Sequence, residues 1–315
     1  MSKIGFIGLG VMGTPMAAHL LAAGHTLYAH TRSGVPQALR DAGAQACASA
    51  AEVARQADTV FLMLPDTPDV ERVLFGAGGV AEGLGAGKTV VDMSSISPIE
   101  TRDFAARIEA LGSDYVDAPV SGGEVGAKAA TLSIMAGGKP EVFARVQPLL
   151  QCLGKNITLV GGVGDGQVAK VANQVIVALT IEAVGEALVL AARAGADPAR
   201  VRQALMGGFA SSRVLEVHGE RMIERRFEPG FRIALHQKDL ELALSTARKL
   251  GVNLPNTASC QQLFNTCSAL GGARWDHAGL VRALEHMASF AIGDKVPGAD
   301  GADSADGTAG SAGKA

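Results

Sequence analysis

From Lys3 to about Gly162 the chain alternates short β-branched apolar runs with Ala-rich stretches of helical length, and after Gly164 the alternation stops. The strand candidates are Lys3–Gly8, Thr26–Ala29, Thr59–Leu64, Thr89–Asp92, Tyr115–Ala118, Leu132–Ala136 and Ile157–Val160, with helical segments such as Thr14–Ala23, Ser97–Leu111 and Pro140–Leu153 between them. Strands that are apolar on both faces must be covered on both faces, so this order predicts a doubly wound α/β sheet, largely parallel. From Gly166 to about Ala194 a long Ala- and Val-rich stretch follows, broken only by Gly185, and the later segments 198–206, 214–225, 235–250, 257–270 and 277–291 are helical in pattern. The expected division is therefore an α/β domain at 1–163 and an all-α domain at 164–292, entered through one long helix. Residues 293–315 are Gly, Ala, Asp and Ser without periodicity, the composition of a disordered tail.

The first strand, Ile4-Gly5-Phe6-Ile7, leads directly into Gly8-Leu9-Gly10-Val11-Met12-Gly13, and a helical pattern runs from there to Ala23 with Gly24 as its stop. G-x-G-x-x-G between a strand and a helix is the turn of a Rossmann-type dinucleotide-binding domain. Gly8 makes the turn, Gly10 lets backbone approach the pyrophosphate, and Gly13 lets helix and strand pack; the helix N-terminus faces the phosphates. After the second strand come Thr31, Arg32 and Ser33, and no acid precedes Asp41. An NAD-selective site normally places a carboxylate there for the ribose 2′-hydroxyl. Arg32 instead suits a 2′-phosphate, so NADP is favoured, with NAD also open.

Asp117-Ala118-Pro119-Val120-Ser121-Gly122-Gly123 follows a strand at the sheet edge where such folds hold ligands, and Ser121, Gly122 and Gly123 together could grip a carboxylate. Lys170 stands just ahead of the uncharged run Val171–Ile181. A lysine on so apolar a helix either reaches solvent or is buried with partners, and Asn173 and Gln174, three and four positions on, share its face. Near a cofactor cleft of low dielectric such a lysine is suited to proton transfer.

The net charge of −3 argues against nucleic-acid binding. The uncharged run is about half a bilayer span, so no membrane segment is expected. Four scattered cysteines lack metal-ligand spacing, and no metal site is expected. With Gly5, Gly8, Gly10, Gly13 and Pro15 interrupting the N-terminal apolar run, a cytoplasmic protein is expected rather than a secreted one.

The blocks Gly5–Met16, Asp117–Gly123, Gly164–Gln174 and Lys238-Asp239-Leu240, in this order, resemble the β-hydroxyacid dehydrogenase family. The resemblance implies an NAD(P)-dependent oxidoreductase with Lys170 as its general acid and base. It further implies a carboxylate-binding role for Ser121, Gly122 and Gly123, and cofactor contacts from Leu64, Pro65, Ser95 and Lys238. It also implies a homodimer or homotetramer. Segments 91–98, 207–213 and 227–240 point, within the family, to reduction of 2-hydroxy-3-oxopropanoate to glycerate. The alternatives are a 3-hydroxyisobutyrate, 4-hydroxybutyrate or glyoxylate-type substrate, or a dinucleotide-binding module without chemistry. Many members carry Asn four residues after the lysine; here that position is Gln174, and either it or Asn173 could assist Lys170.

Overall fold

A computed structural model describes residues 1–295. The strands are β1 (Lys3–Ile7), β2 (Thr26–His30), β3 (Gln45–Ala46), β4 (Thr59–Leu62), β5 (Thr89–Asp92), β6 (Asp114–Asp117), β7 (Val120–Ser121), β8 (Leu132–Gly137) and β9 (Gly154–Gly161). The helices in the same stretch are α1 (Gly13–Ala22), α2 (Gln37–Asp41), α3 (Ala50–Gln56), α4 (Thr67–Phe75), α5 (Pro98–Glu109), α6 (Gly123–Lys128) and α7 (Pro140–Leu150). Then follow α8 (Asp165–Arg193), α9 (Pro198–Leu205), α10 (Arg213–Ile223), α11 (Ile233–Leu250), α12 (Pro255–Ala269) and α13 (Val281–Ala288). The two-residue strands β3 and β7 and the helices α2, α3, α4 and α6 were not among the sequence expectations. Elements this short show too few residues to display a period.

The strands form one sheet in the order β3-β2-β1-β4-β5-β6-β8-β7, with β9 on β8. From β3 to β6 every pair is parallel, and β8 joins β6 and β7 antiparallel. The central strands β4 and β5 are buried almost throughout, as a sheet covered on both faces requires. Alternate residues serve opposite layers. Ile4, Phe6, Phe61 and Val91 pack with Met16 and Leu20 of α1. Ile7, Val60, Leu62 and Val90 pack with Val53 of α3 and Phe104 of α5. Because β1 is followed on one side by β2 and on the other by β4, the chain reverses its winding between them, and the cleft for a ligand opens at their carboxyl ends.

The chain divides into two compact units, one of residues 1–176 and 235–258, the other of 177–234 and 259–315. This division differs from the single cut expected at Gly164, because α11, far along the chain, bonds to α5 and to the loop after β5. Lys249 of α11 pairs with Glu100 of α5 at 2.9 Å, and Lys238 donates to Ser95 O at 2.6 Å. The second unit is helical, as its sequence predicts. Within it Arg225 forms a bidentate pair with Glu285, which is 4% exposed. The expected helix 277–291 is split: His277–Leu280 is a tighter 3-10 turn that leads into α13. Of the tail expected from 293 onward, all beyond residue 295 lies outside the described residues.

Candidate active site

The glycine turn adopts the geometry its spacing predicts. Gly8 has φ +98°, and a Cβ on it would lie 2.3 Å from Met63 O; a Cβ on Gly13 would lie 1.9 Å from Gly8 O. A side chain at Gly8 would force the turn off the end of β4, and one at Gly13 would force α1 off the turn. Gly10 is different, since a Cβ there meets nothing within 4 Å. The open space in front of Gly10, at the start of α1, is where a pyrophosphate would lie against backbone. Arg32 and Ser33 are exposed just beyond β2, on the adjacent edge.

Leu64 and Pro65 follow β4, and Ser95 follows β5. Lys238 brings the two loops together, donating to Pro65 O at 3.1 Å and Ser95 O at 2.6 Å. Leu64 N donates to Ser94 Oγ, and Ser94 N to Asp92 Oδ1, both at 2.9 Å. Tyr115 Oη donates to the other Asp92 oxygen. Burial pushes the Asp92 carboxyl up to about 6 despite the bonds from Ser94 and Tyr115.

Lys170 lies one turn into α8, whose start is held by β6. Asp117 accepts from Gly164 N at 2.7 Å and from Gln167 N at 2.9 Å, so a carboxylate from another strand caps the helix. Burial nonetheless pushes the Asp117 carboxyl up to about 7. Gln167, Lys170 and Gln174 fall on one face of α8 and are all buried; Lys170 is 7% exposed. Lys170 Nζ donates to Gln174 Oε1 at 3.0 Å, and Asn173 Nδ2 donates to the same oxygen at 2.8 Å. Gln174 Nε2 donates to Asp239 Oδ2 at 2.6 Å, while Asp239 Oδ1 faces Lys238 Nζ at 3.0 Å. A lysine can only donate and a carboxylate can only accept, so the Gln174 amide has one satisfying orientation.

The consequence is electrostatic. Burial lowers the Lys170 pKa to about 8; the nearby Asp239 opposes this and Lys238 adds to it. Gln174 stands between the ammonium and the carboxylate, which prevents a direct ion pair from holding the proton on Lys170. Ser95, Ile96, Gln167, Lys170, Gln174 and Asp239 line one narrow recess. Three of these, Ile96, Gln167 and Asp239, were not singled out as site residues in the sequence. Asp239 and Gln167 each had one available signal, their places in the Lys238-Asp239-Leu240 and Gly164–Gln174 blocks.

Ser121, Gly122 and Gly123 are not among the residues lining this recess. They form the turn from β7 into α6, with φ +134° at Gly122 and +59° at Gly123, backbone that favours glycine. The structure thus groups Lys170, Gln174, Ser95 and Lys238, with Asn173 behind Gln174, while Ser121–Gly123 and Arg32 take no part in these hydrogen bonds.

Among the described residues of α8, length and apolar composition alone would suffice for a membrane span. The uncharged run is short, but the helix continues past Glu182 to Arg193. Its buried Gln167, Lys170 and Gln174 are spent on hydrogen bonds within the protein. In the second unit, His218, Asp276 and His277 are ligand types for a metal. The Asp276 oxygens, however, already accept from Gly230 N, Phe231 N and Ala278 N, and Arg221 Nη1 sits 2.9 Å away. The Arg221 guanidinium already balances the carboxylate at Oδ2.

Comparison with known proteins gives the family. Residues 3–162 match the NAD binding domain of 6-phosphogluconate dehydrogenase, and residues 164–284 match the NAD-binding domain of NADP-dependent 3-hydroxyisobutyrate dehydrogenase. The chain is 64% identical over 287 residues to 2-hydroxy-3-oxopropionate reductase of Escherichia coli, covering 91% of this chain and 98% of that one. It is 40% identical to 2-(hydroxymethyl)glutarate dehydrogenase of Eubacterium barkeri, covering 92% and 97%. The crystallised 3-hydroxyisobutyrate dehydrogenase of Mycobacterium tuberculosis superimposes with a TM-score of 0.82 at 31% identity, covering 90% and 99%. With its glycine turn, its buried lysine helix and these matches along nearly its whole described length, the chain belongs to the β-hydroxyacid dehydrogenase family of NAD(P)-dependent oxidoreductases acting on CH–OH groups.

Proposed function

We propose that the protein reduces 2-hydroxy-3-oxopropanoate (tartronate semialdehyde) to glycerate with NADPH in preference to NADH, and catalyses the reverse oxidation. The substrate assignment is carried by the 64% identity to the Escherichia coli reductase over 91% of the chain. The cofactor preference rests on exposed Arg32 and on the lack of an acid between His30 and Asp41.

A nicotinamide dinucleotide bound at the glycine turn supplies the hydride. The residues that would hold it are Gly8–Gly13 at the pyrophosphate, Arg32 at the ribose, and Leu64, Pro65, Ser95 and Lys238 along the two loops. Ser121, Gly122 and Gly123 bind the substrate carboxylate through hydroxyl and backbone N–H groups. As negative charge grows on the aldehyde oxygen, protonated Lys170 stabilises that oxygen and then gives it the proton. In the oxidative direction neutral Lys170 takes the proton from the hydroxyl. Gln174 orients the ammonium, and Asn173 fixes Gln174. A binding module without chemistry would have no use for a buried lysine, which is costly to desolvate.

The test is turnover of tartronate semialdehyde beside methylmalonate semialdehyde and succinate semialdehyde, each with NADPH and NADH. Tartronate semialdehyde should show the highest kcat/KM, and NADPH should bind more tightly than NADH. A higher kcat/KM with either other aldehyde would overturn the substrate, and NADH binding about tenfold tighter than NADPH would overturn the cofactor preference.

A further inference from the structure

Gln167 is 0% exposed and lies one turn ahead of Lys170 on the same face of α8. Its Oε1 accepts from Ile96 N at 3.1 Å, and its Nε2 donates to Ser94 O at 2.7 Å. One amide thus bonds both ways to the segment that follows β5. That segment is built into the cofactor loops: Ser94 Oγ accepts from Leu64 N, and Ser95 O accepts from Lys238 Nζ. The backbone of Gln167 is fixed as well, through its N–H to Asp117. Any slip of α8 along the sheet must therefore break the Gln167 bonds first.

We propose that Gln167 is a positioning residue, holding α8 in register with Ser94–Ile96 and so aligning Lys170 with the reacting carbon. The inference rests on the role given above to Lys170, although Gln167 itself acts only through other groups. Displacement of about 1 Å by a change away from the chemistry can cost about a hundredfold in rate. The loss should therefore appear in kcat rather than in binding.

Two variants of the full chain test it. Gln167→Met keeps the length and removes both bonds; kcat should fall at least about tenfold, with KM and the NADPH Kd within about threefold of wild type. Gln167→Glu carries a built-in control. Protonated, the new carboxyl accepts from Ile96 N and donates to Ser94 O as the amide does. Ionised, it sets an acceptor against Ser94 O. The charged groups facing this site are Asp117 and Asp92 from the sheet, Lys170 on α8 itself, and Lys238 and Asp239 of α11. Burial and the three acids favour the protonated form, and the two lysines oppose them. The ratio of variant to wild-type kcat should therefore rise at least about fivefold as pH falls from 8 to 6, while wild type on its own sets the reference. If Gln167→Met does not fold, this ratio alone decides. A ratio independent of pH, or a Gln167→Met kcat within about twofold of wild type, overturns the proposal. Wild type and variants are assayed on whichever aldehyde wild type reduces fastest, so an error in the substrate and an error about Gln167 are read separately.

Discussion

At the scale of single residues, the proposed chemistry depends on how Lys170 is buried. Its ammonium is taken from water and given one amide acceptor instead of a carboxylate, and burial lowers its pKa to about 8. Reduction needs the protonated form, so kcat for reduction should fall as pH rises through about 8, and kcat for oxidation should rise over the same interval. Lys170→Ala should lower kcat by about 10² or more with little change in cofactor Kd, because the phosphates are held at the glycine turn. Retention of a tenth of wild-type kcat would mean that the proton comes from another group. Gln174→Glu tests the spacer. A carboxylate at that position would pair directly with Lys170, favour its charged form, and move both pH limbs upward by about one unit or more. Unmoved limbs would refute the role given to Gln174. The sequence made Lys170 conspicuous, since a charge before eleven uncharged positions (171–181) is rare on a helix. It left Asn173 and Gln174 level, because both share the lysine's face. Only the geometry separates them: Gln174 holds Lys170 and Asp239, while Asn173 holds Gln174.

At the scale of elements, long helices and buried strands were legible because their periods extend over many residues. The knot around Asp276 was not. Asp276 caps the turn His277–Leu280 through Ala278 N, pairs with Arg221, and accepts from Gly230 N and Phe231 N. Apart from Ala278, its partners lie about 50 residues away in sequence, and no local pattern marks them. Burial alone would raise its pKa, but His218 Nδ1 3.6 Å away, the field of His277 and the backbone N–H bonds outweigh burial and hold the carboxyl well below its usual range. A folded-state pKa below the unfolded value gives stability that is present above about pH 4 and is lost as pH falls through the lower, folded value. Asp276→Ala leaves Arg221 and three backbone N–H groups without their acceptor, and should cost about 3 kcal/mol in urea denaturation. The difference from wild type should shrink toward acid. A loss below about 0.5 kcal/mol at neutral pH would show that water replaces the carboxylate without penalty.

At the scale of the whole molecule, α8 and α11 each contribute to both compact units, so neither unit is a continuous stretch of chain. The apolar positions Ile176 and Leu190 on α8 are 65% and 71% exposed. Uncovered large aliphatic side chains on one helix are costly in water, and a second copy of the chain is the occupant we expect for them. Light scattering at about 10 μM should return a dimer or a larger assembly, and Ile176→Lys with Leu190→Lys should shift it toward monomer. A monomeric wild type under these conditions would rule this out.

The sequence alone determined what depends on neighbours along the chain. The glycine turn needed only its own backbone chemistry and the strand and helix on either side. The alternation of β and α, and its end near Gly164, followed from period and composition. The burial of Lys170 among polar partners, the choice of Gln174 over Asn173, and the clamping by Gln167, Asp117 and Asp239 were decided by tertiary structure. These bonds join residues from 47 to 73 positions apart, apart from those within α8. Hydrogen-bond geometry at that separation is set by how helices dock on the sheet, and no spacing in the sequence encodes it.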